Sequence, residues 1–193
     1  MVLLQSNQMS NTRIHPHKFT LWVALGSIVM MFAGLTSAYI VKSNQANWSV
    51  FSLPFAFWFS TLVIAFSSYS IYAASKAIQV KEMKKYRFLI LLTFFFGLLF
   101  ISLQFLGFFQ LYNKSIYLFG SNCNVAASFL GVITLLHILH VLGGLVALIV
   151  IYIRQFVSTR KTYSTLPVEL VSTYWHFIGL LWIYLFVFFS ITS

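Results

Sequence analysis

Polar and charged residues gather into a few short clusters along this chain, and the stretches between them are almost continuously apolar. Five such stretches stand out, at about Phe19–Val41, Phe51–Ala74, Phe88–Leu111, Val125–Tyr152 and Leu170–Ser190. As a helix, each is long enough to cross ~30 Å of hydrocarbon, the fourth with length to spare for tilt. A backbone in lipid must satisfy its own hydrogen bonds, and a helix does so within one segment. A membrane β-barrel would show ~10-residue segments of alternating polarity, whereas these runs are continuous. The pattern predicts an all-α protein, an integral membrane five-helix bundle. We find no internal repeat and no linker long enough to divide it, so residues 1–193 are expected to form one transmembrane helical domain.

Composition agrees with the pattern and narrows it. Of 193 residues, 60% are apolar and 7% charged, against roughly 25% charged in soluble domains. A soluble globular domain, a disordered chain and a disulfide scaffold are excluded. Glu82 and Glu169 are the two carboxylates in the chain, so chemistry needing a carboxylate pair or a carboxylate metal cage has almost nothing to work with. The net charge of +10 does not point to nucleic acid. In a membrane chain, Lys and Arg first mark the cytoplasmic loops. The lone cysteine, Cys123, has no partner for an internal disulfide, and Met1–Gln8 lacks the charged and apolar regions of a cleavable signal peptide.

The basic residues also set an orientation. Arg13 and Lys18 precede the first helix, and Lys76, Lys81, Lys84, Lys85 and Arg87 lie between the second and third. Arg154, Arg160 and Lys161 lie between the fourth and fifth, which brings ten of the twelve Lys and Arg to one side. Lys42 and Lys114 are left for the other. The N-terminus is therefore expected in the cytoplasm and the C-terminus outside. Asn47-Trp48-Ser49 and Asn113-Lys114-Ser115 match the glycosylation pattern in the predicted outer loops, and chance in polar loops is the favoured explanation.

Three ionisable histidines remain inside the predicted spans: His137 and His140 on the fourth helix, and His176 near the start of the fifth. A spacing of three puts His137 and His140 on one helix face. They are candidates either for metal or heme ligation or for polar contact between packed helices. From the predicted helix ends, at ~1.5 Å per residue, His140 is ~18 Å deep and His176 ~9 Å. That offset, and the want of a nearby carboxylate or cysteine, favours helix contacts over a shared metal. Glu169 follows Pro167 at the start of the fifth helix, where a carboxylate complements the positive helix end. Seven residues on, His176 lies on the same face beside Trp175. Glu169, Trp175 and His176 are thus candidates to hold a neighbouring helix or a lipid headgroup. Trp22, Trp48 and Trp58 are placed as interfacial or lipid-facing aromatics. Gly26, Ala33, Gly34, Ser37 and Ala38 on the first helix, and Gly143-Gly144 on the fourth, are small residues of the kind that let helices approach closely.

Glu169-Leu-Val-Ser-Thr-Tyr174-Trp175-His176-Phe177, followed by Trp182, resembles the last helix of subunit III of the heme–copper terminal oxidases. That family has a Glu seven residues before the His of a Tyr-Trp-His-Phe signature and a Trp six residues after it. His137-Ile-Leu-His140-Val141-Leu-Gly143 resembles the preceding helix of the family, and Ile153-Arg154-Gln155 the step out of it. Ser27 through Gly34 to Tyr39 resembles the first helix of the short form, which lacks two N-terminal helices. The resemblance runs from Lys18 to Ile191. Three departures all remove acid: Ile28, Gly107 and Gly179 stand where the family commonly carries a carboxylate. The acid missing at Ile28 is the one tied to proton uptake and lipid contact in the family.

The resemblance implies an accessory subunit of a proton-pumping cytochrome c oxidase in a bacterial inner (plasma) membrane. It would have no catalytic, metal or cofactor site of its own, with hemes and copper in partner subunits I and II. Direct packing on subunit I is implied, with subunit II, subunit IV, membrane lipids and a larger respiratory supercomplex as further partners. Stabilisation of subunit I and support of proton uptake are the implied roles. The lipid-filled cleft beside the two missing helices would be absent or walled by another subunit. His137, His140, Glu169, Trp175 and His176 are the candidate contacts between helices or to phospholipid. Lys18, Lys84, Lys85 and Arg87 are candidates for lipid phosphate. A quinol oxidase subunit III remains open as the close variant. A small transporter ranks lower, because the midplane offers histidines but no acid, and a b-type heme protein ranks lower on the depth offset.

Overall fold

The computed structural model describes residues 16–43, 53–114, 116, 118, 124–154 and 165–192. Trp48, Cys123, Arg13, Arg160, Lys161, Gln155 and both glycosylation patterns (Asn47 to Ser49, and Ser115 of the second) lie wholly or partly outside them. Five helices form: α1 (Pro16–Ser43), α2 (Phe55–Gln79), α3 (Met83–Asn113), α4 (Val125–Tyr152) and α5 (Leu166–Thr192). All five are long and apolar enough to cross a membrane.

The ends differ from the hydropathy runs for local reasons. Helix α2 begins four residues later than expected because Pro54, extended at φ −61° and ψ 146°, stands just before it; a proline there has no N–H to place. Its other end runs on to Gln79 and closes in a tight turn. There the Glu82 N–H donates to the Ala77 carbonyl (3.0 Å) and the Lys81 N–H to the Ile78 carbonyl (3.1 Å). This double closure needs a left-handed residue, and Lys81 supplies it at φ 59° without being glycine. Helix α3 starts at once, the Tyr86 N–H donating to the Glu82 carbonyl (3.0 Å). Helix α5 begins at Leu166, four residues early, because Pro167 sits in a first turn where a missing N–H costs nothing. Helix α4 keeps its expected span, its first turn capped by Asn124 Oδ1, which accepts from the Ala126 N–H (2.9 Å).

Neighbours in sequence are antiparallel, while α1 and α5 run parallel, with Lys18 beside Glu169 and Thr36 beside Tyr184. The starts of α1, α3 and α5 and the ends of α2 and α4 therefore meet at one end of the bundle. That end carries Lys18, Lys76, Lys81, Lys84, Lys85, Arg87 and Arg154, and is called the basic end below. Helices α2 to α5 form the core, with α2 and α3 the most extensively packed pair; α1 lies against α4 and α5 alone.

Candidate functional site

Two tryptophans of α5, two turns apart on one face, hold the four core helices together. The indole of Trp175 is 1% exposed. It enters between α3 and α4 where each has a glycine. A Cβ on Gly97 would sit 2.9 Å from Trp175 Cη2 and 2.7 Å from Leu145 Cδ2, and one on Gly144 would sit 3.0 Å from the indole. The Trp175 Nε1–H donates to Ser67 Oγ of α2 (3.0 Å), which in turn reaches the Thr93 carbonyl of α3 at 3.5 Å. Trp182 repeats the device: its Nε1–H donates to Thr61 Oγ1 (3.0 Å). Its ring stands 5.1 Å from Phe100 of α3 and 5.3 Å from His137 of α4, centroid to centroid. Buried indoles find partners for their N–H groups, and here serines and threonines on helix faces supply them.

The paired histidines diverge in surroundings despite their shared face. His137 is fully buried, and neither ring nitrogen has a hydrogen-bond partner. The rings of Phe32 (6.3 Å), Phe100 (5.9 Å) and Trp182 enclose it instead. His140 is half-buried and donates its Nδ1–H to the Leu136 carbonyl of its own helix (2.7 Å). Its backbone carbonyl accepts from Tyr174 Oη of α5 (3.1 Å), and its ring lies 5.8 Å from that of Phe32. Because α5 starts at Leu166, His176 lies ~15 Å from the helix start and not ~9 Å, so its depth nearly matches that of His140. The depth offset therefore no longer separates them. Among the described residues, no group of three His, Cys, Asp or Glu is placed to hold a metal ion.

Glu169 faces α1, where the Lys18 ammonium lies 3.2 Å from its Oε2, both side chains remaining about two-fifths exposed. Lys18 thus has a carboxylate partner within the chain. So does Lys85, 2.7 Å from Glu82. Arg87 donates its Nε–H to Tyr152 Oη (2.9 Å) across the α3–α4 seam. Trp22 and Trp58 are 66% and 54% exposed, facing outward from the bundle. Gly26 and Gly34 of α1 also face out, with nothing within 4 Å of a Cβ on either.

The three positions without acid are buried. Ile28 is part of the apolar core. A Cβ on Gly107 would lie 3.1 Å from the Phe57 ring, and one on Gly179 3.0 Å from Ser68 Oγ. At Gly107 and Gly179 a side chain of the neighbouring helix already stands against the place a Cβ would take, and at Ile28 an apolar side chain fills the place. Sequence reasoning missed Ser67 and Thr61 as indole acceptors and Gly97 as the seat of Trp175, because a serine or glycine in an apolar run carries no sign of which helix it faces.

The site is one of helix association: buried indoles, an enclosed histidine and end-of-helix ion pairs, in a multi-pass membrane protein. No protein-family model matches the chain. It is 30% identical, over 90% of its own length and 90% of the relative's, to a probable cytochrome c oxidase subunit 3 of Nocardia farcinica. It is 27% identical, over 96% and 92%, to a cytochrome bo(3) ubiquinol oxidase subunit 3 of Buchnera aphidicola. Against a cytochrome c oxidase subunit 3 of Bacillus sp. (strain PS3) the identity is 25%, over 86% and 80%. The chain belongs to the subunit III family of the heme–copper terminal oxidases, whose members are non-catalytic subunits of those complexes.

Proposed function

We propose that this chain is the accessory subunit III of a proton-pumping cytochrome c oxidase in a bacterial inner membrane. Its basic end faces the cytoplasm and its C-terminus the outside. It packs against subunit I, which with subunit II carries the hemes and copper, and it stabilises that assembly and supports proton uptake. Subunit IV and a larger respiratory assembly are further partners. The residues 1–193 act as one domain. The observation that carries the reading is the 30% identity to a probable cytochrome c oxidase subunit 3 over nine-tenths of both chains. The Trp175 and Trp182 contacts support a role in packing, and the basic end suits anionic lipid.

A tagged chain, solubilised from respiring membranes, should bring down a heme-containing oxidase. Elution alone and heme-free overturns the reading. A quinol oxidase is the second reading, favoured by relatives named ubiquinol oxidase subunit 3 in Buchnera. Copper in a co-purifying subunit II separates the two, since it belongs with cytochrome c as the donor.

A further inference from the structure

Around Trp182 lies a polar layer inside an otherwise apolar core. At the level of its indole, α2 brings Thr61, α3 brings Phe100 and α4 brings His137. The rings of Phe100 and His137 are 5.9 Å apart and fix the register of α3 against α4. Gln104 lies four residues after Phe100, and Thr134 three residues before His137. Because the two helices are antiparallel, both steps lead away from the basic end, by ~6 Å and ~4.5 Å. Gln104 and Thr134 therefore stand at nearly one depth on facing helices, about a turn beyond His137. All three side chains are fully buried.

Each of the three keeps polar atoms without a hydrogen-bond partner: Gln104 Oε1, Thr134 Oγ1 and both ring nitrogens of His137. The amide of Gln104 is nonetheless oriented. Its Nε2–H donates to Ser60 Oγ of α2 (3.0 Å), and the Ser60 hydroxyl donates to the Phe57 carbonyl (2.8 Å). Thr134 breaks the habit of the bundle. The other six threonines in the described helices each donate to the carbonyl four residues back. Thr134 does not, so its hydroxyl is available to a group off its own helix. Unpaired polar atoms in an interior are costly, and ordered water commonly satisfies them. We propose that an internal water molecule joins these side chains, donating to Gln104 Oε1 and to the unprotonated ring nitrogen of His137 and accepting from the Thr134 hydroxyl. Three hydrogen bonds are the usual number for a buried water. The ring N–H of His137 is left to the enclosing rings of Phe32, Phe100 and Trp182, which are weak acceptors. The water ties α4 to the Ser60–Gln104 pair, and through that pair to α2 and α3.

The inference does not depend on the oxidase partner. The full chain is purified from the membrane with whatever it brings, and its structure is solved at a resolution that shows ordered water. Wild type should show a water peak within hydrogen-bonding distance of Gln104, Thr134 and His137, and Thr134→Ser, which keeps the hydroxyl, should keep that peak. Melting of the solubilised chain then reads the sign. Valine would remove an unpartnered hydroxyl to the benefit of the fold, but a water-bonded one to its cost. Thr134→Val should therefore melt ~2–4 °C below wild type. Gln104→Met keeps the bulk of the side chain without the acceptor. Combined with Thr134→Val, it should lower the melt by less than the sum of the two, because the same water is lost in each. Direct bonds among the three side chains with no water between them, Thr134→Val melting at or above wild type, or additive losses in the double variant would each overturn the assignment. Elution without heme counts against the proposed function alone.

Discussion

Helices α2 to α5 and helix α1 are both apolar membrane spans, yet they are held in different ways. The four core helices share two buried indoles, each reaching the other three helices through a glycine, a hydroxyl or a ring. Helix α1 is attached at points along one edge. Lys18 meets Glu169 at the basic end, Phe32 meets the two histidines, Thr36 meets Tyr184, and Tyr39 meets Phe188 and Phe189. In lipid, apolar surface gains little by leaving the solvent, so association depends on close packing and on hydrogen bonds between helices. By that measure the core is tightly interlocked and α1 is the more detachable element.

The largest test of this contrast is Trp175→Ala. It opens a cavity shared by four helices and should cost about 3–5 kcal/mol, read as a large fall in the melting temperature of the detergent-solubilised chain. Stability equal to that of α1 variants would remove the distinction between the two regions. Next, Gly97→Ala should cost about 1–3 kcal/mol by overpacking, because its Cβ would press on Leu145 and Trp175 at 2.7 and 2.9 Å. Gly34→Ala is its counterpart on α1, where nothing lies within 4 Å, and the same assay should find it neutral or slightly stabilising. Ser67→Ala leaves the Trp175 Nε1–H unpaired in the interior and should cost about 1–3 kcal/mol; an unchanged melt would mean that the indole is held by its walls alone. Glu169→Gln removes the α1–α5 ion pair. Since both partners are about two-fifths exposed, the loss should be under about 1 kcal/mol and should shrink as salt is added.

The five spans and the concentration of positive charge were legible because a hydrocarbon slab imposes a minimum run length and tolerates few charges. Helix ends were less so: hydropathy marks where the lipid stops, while Pro54, Pro167 and the Lys81 turn decide where the hydrogen-bonded helix stops. The candidate site was legible in part. Glu169, Trp175 and His176 stood out as polar or aromatic groups in a recognisable pattern. Their partners did not: Lys18 is 151 residues from Glu169, and Ser67 is 108 from Trp175. His137 and His140 looked equivalent from their spacing, but an offset of about a sixth of a turn on the helix puts one among aromatic rings and the other at the edge of the bundle.

From the order of residues alone came the class of protein, the number of crossings, the charged end and the family, since each depends on what lies along a single strand of sequence. Which face of each helix turns inward was decided only in three dimensions. A soluble helix shows its inner face as an apolar stripe. In a lipid-surrounded bundle both faces are apolar, and the choice falls to shape: a glycine opposite an indole, or a serine within reach of its N–H. Those matches lie on different helices and become visible only when the helices are packed.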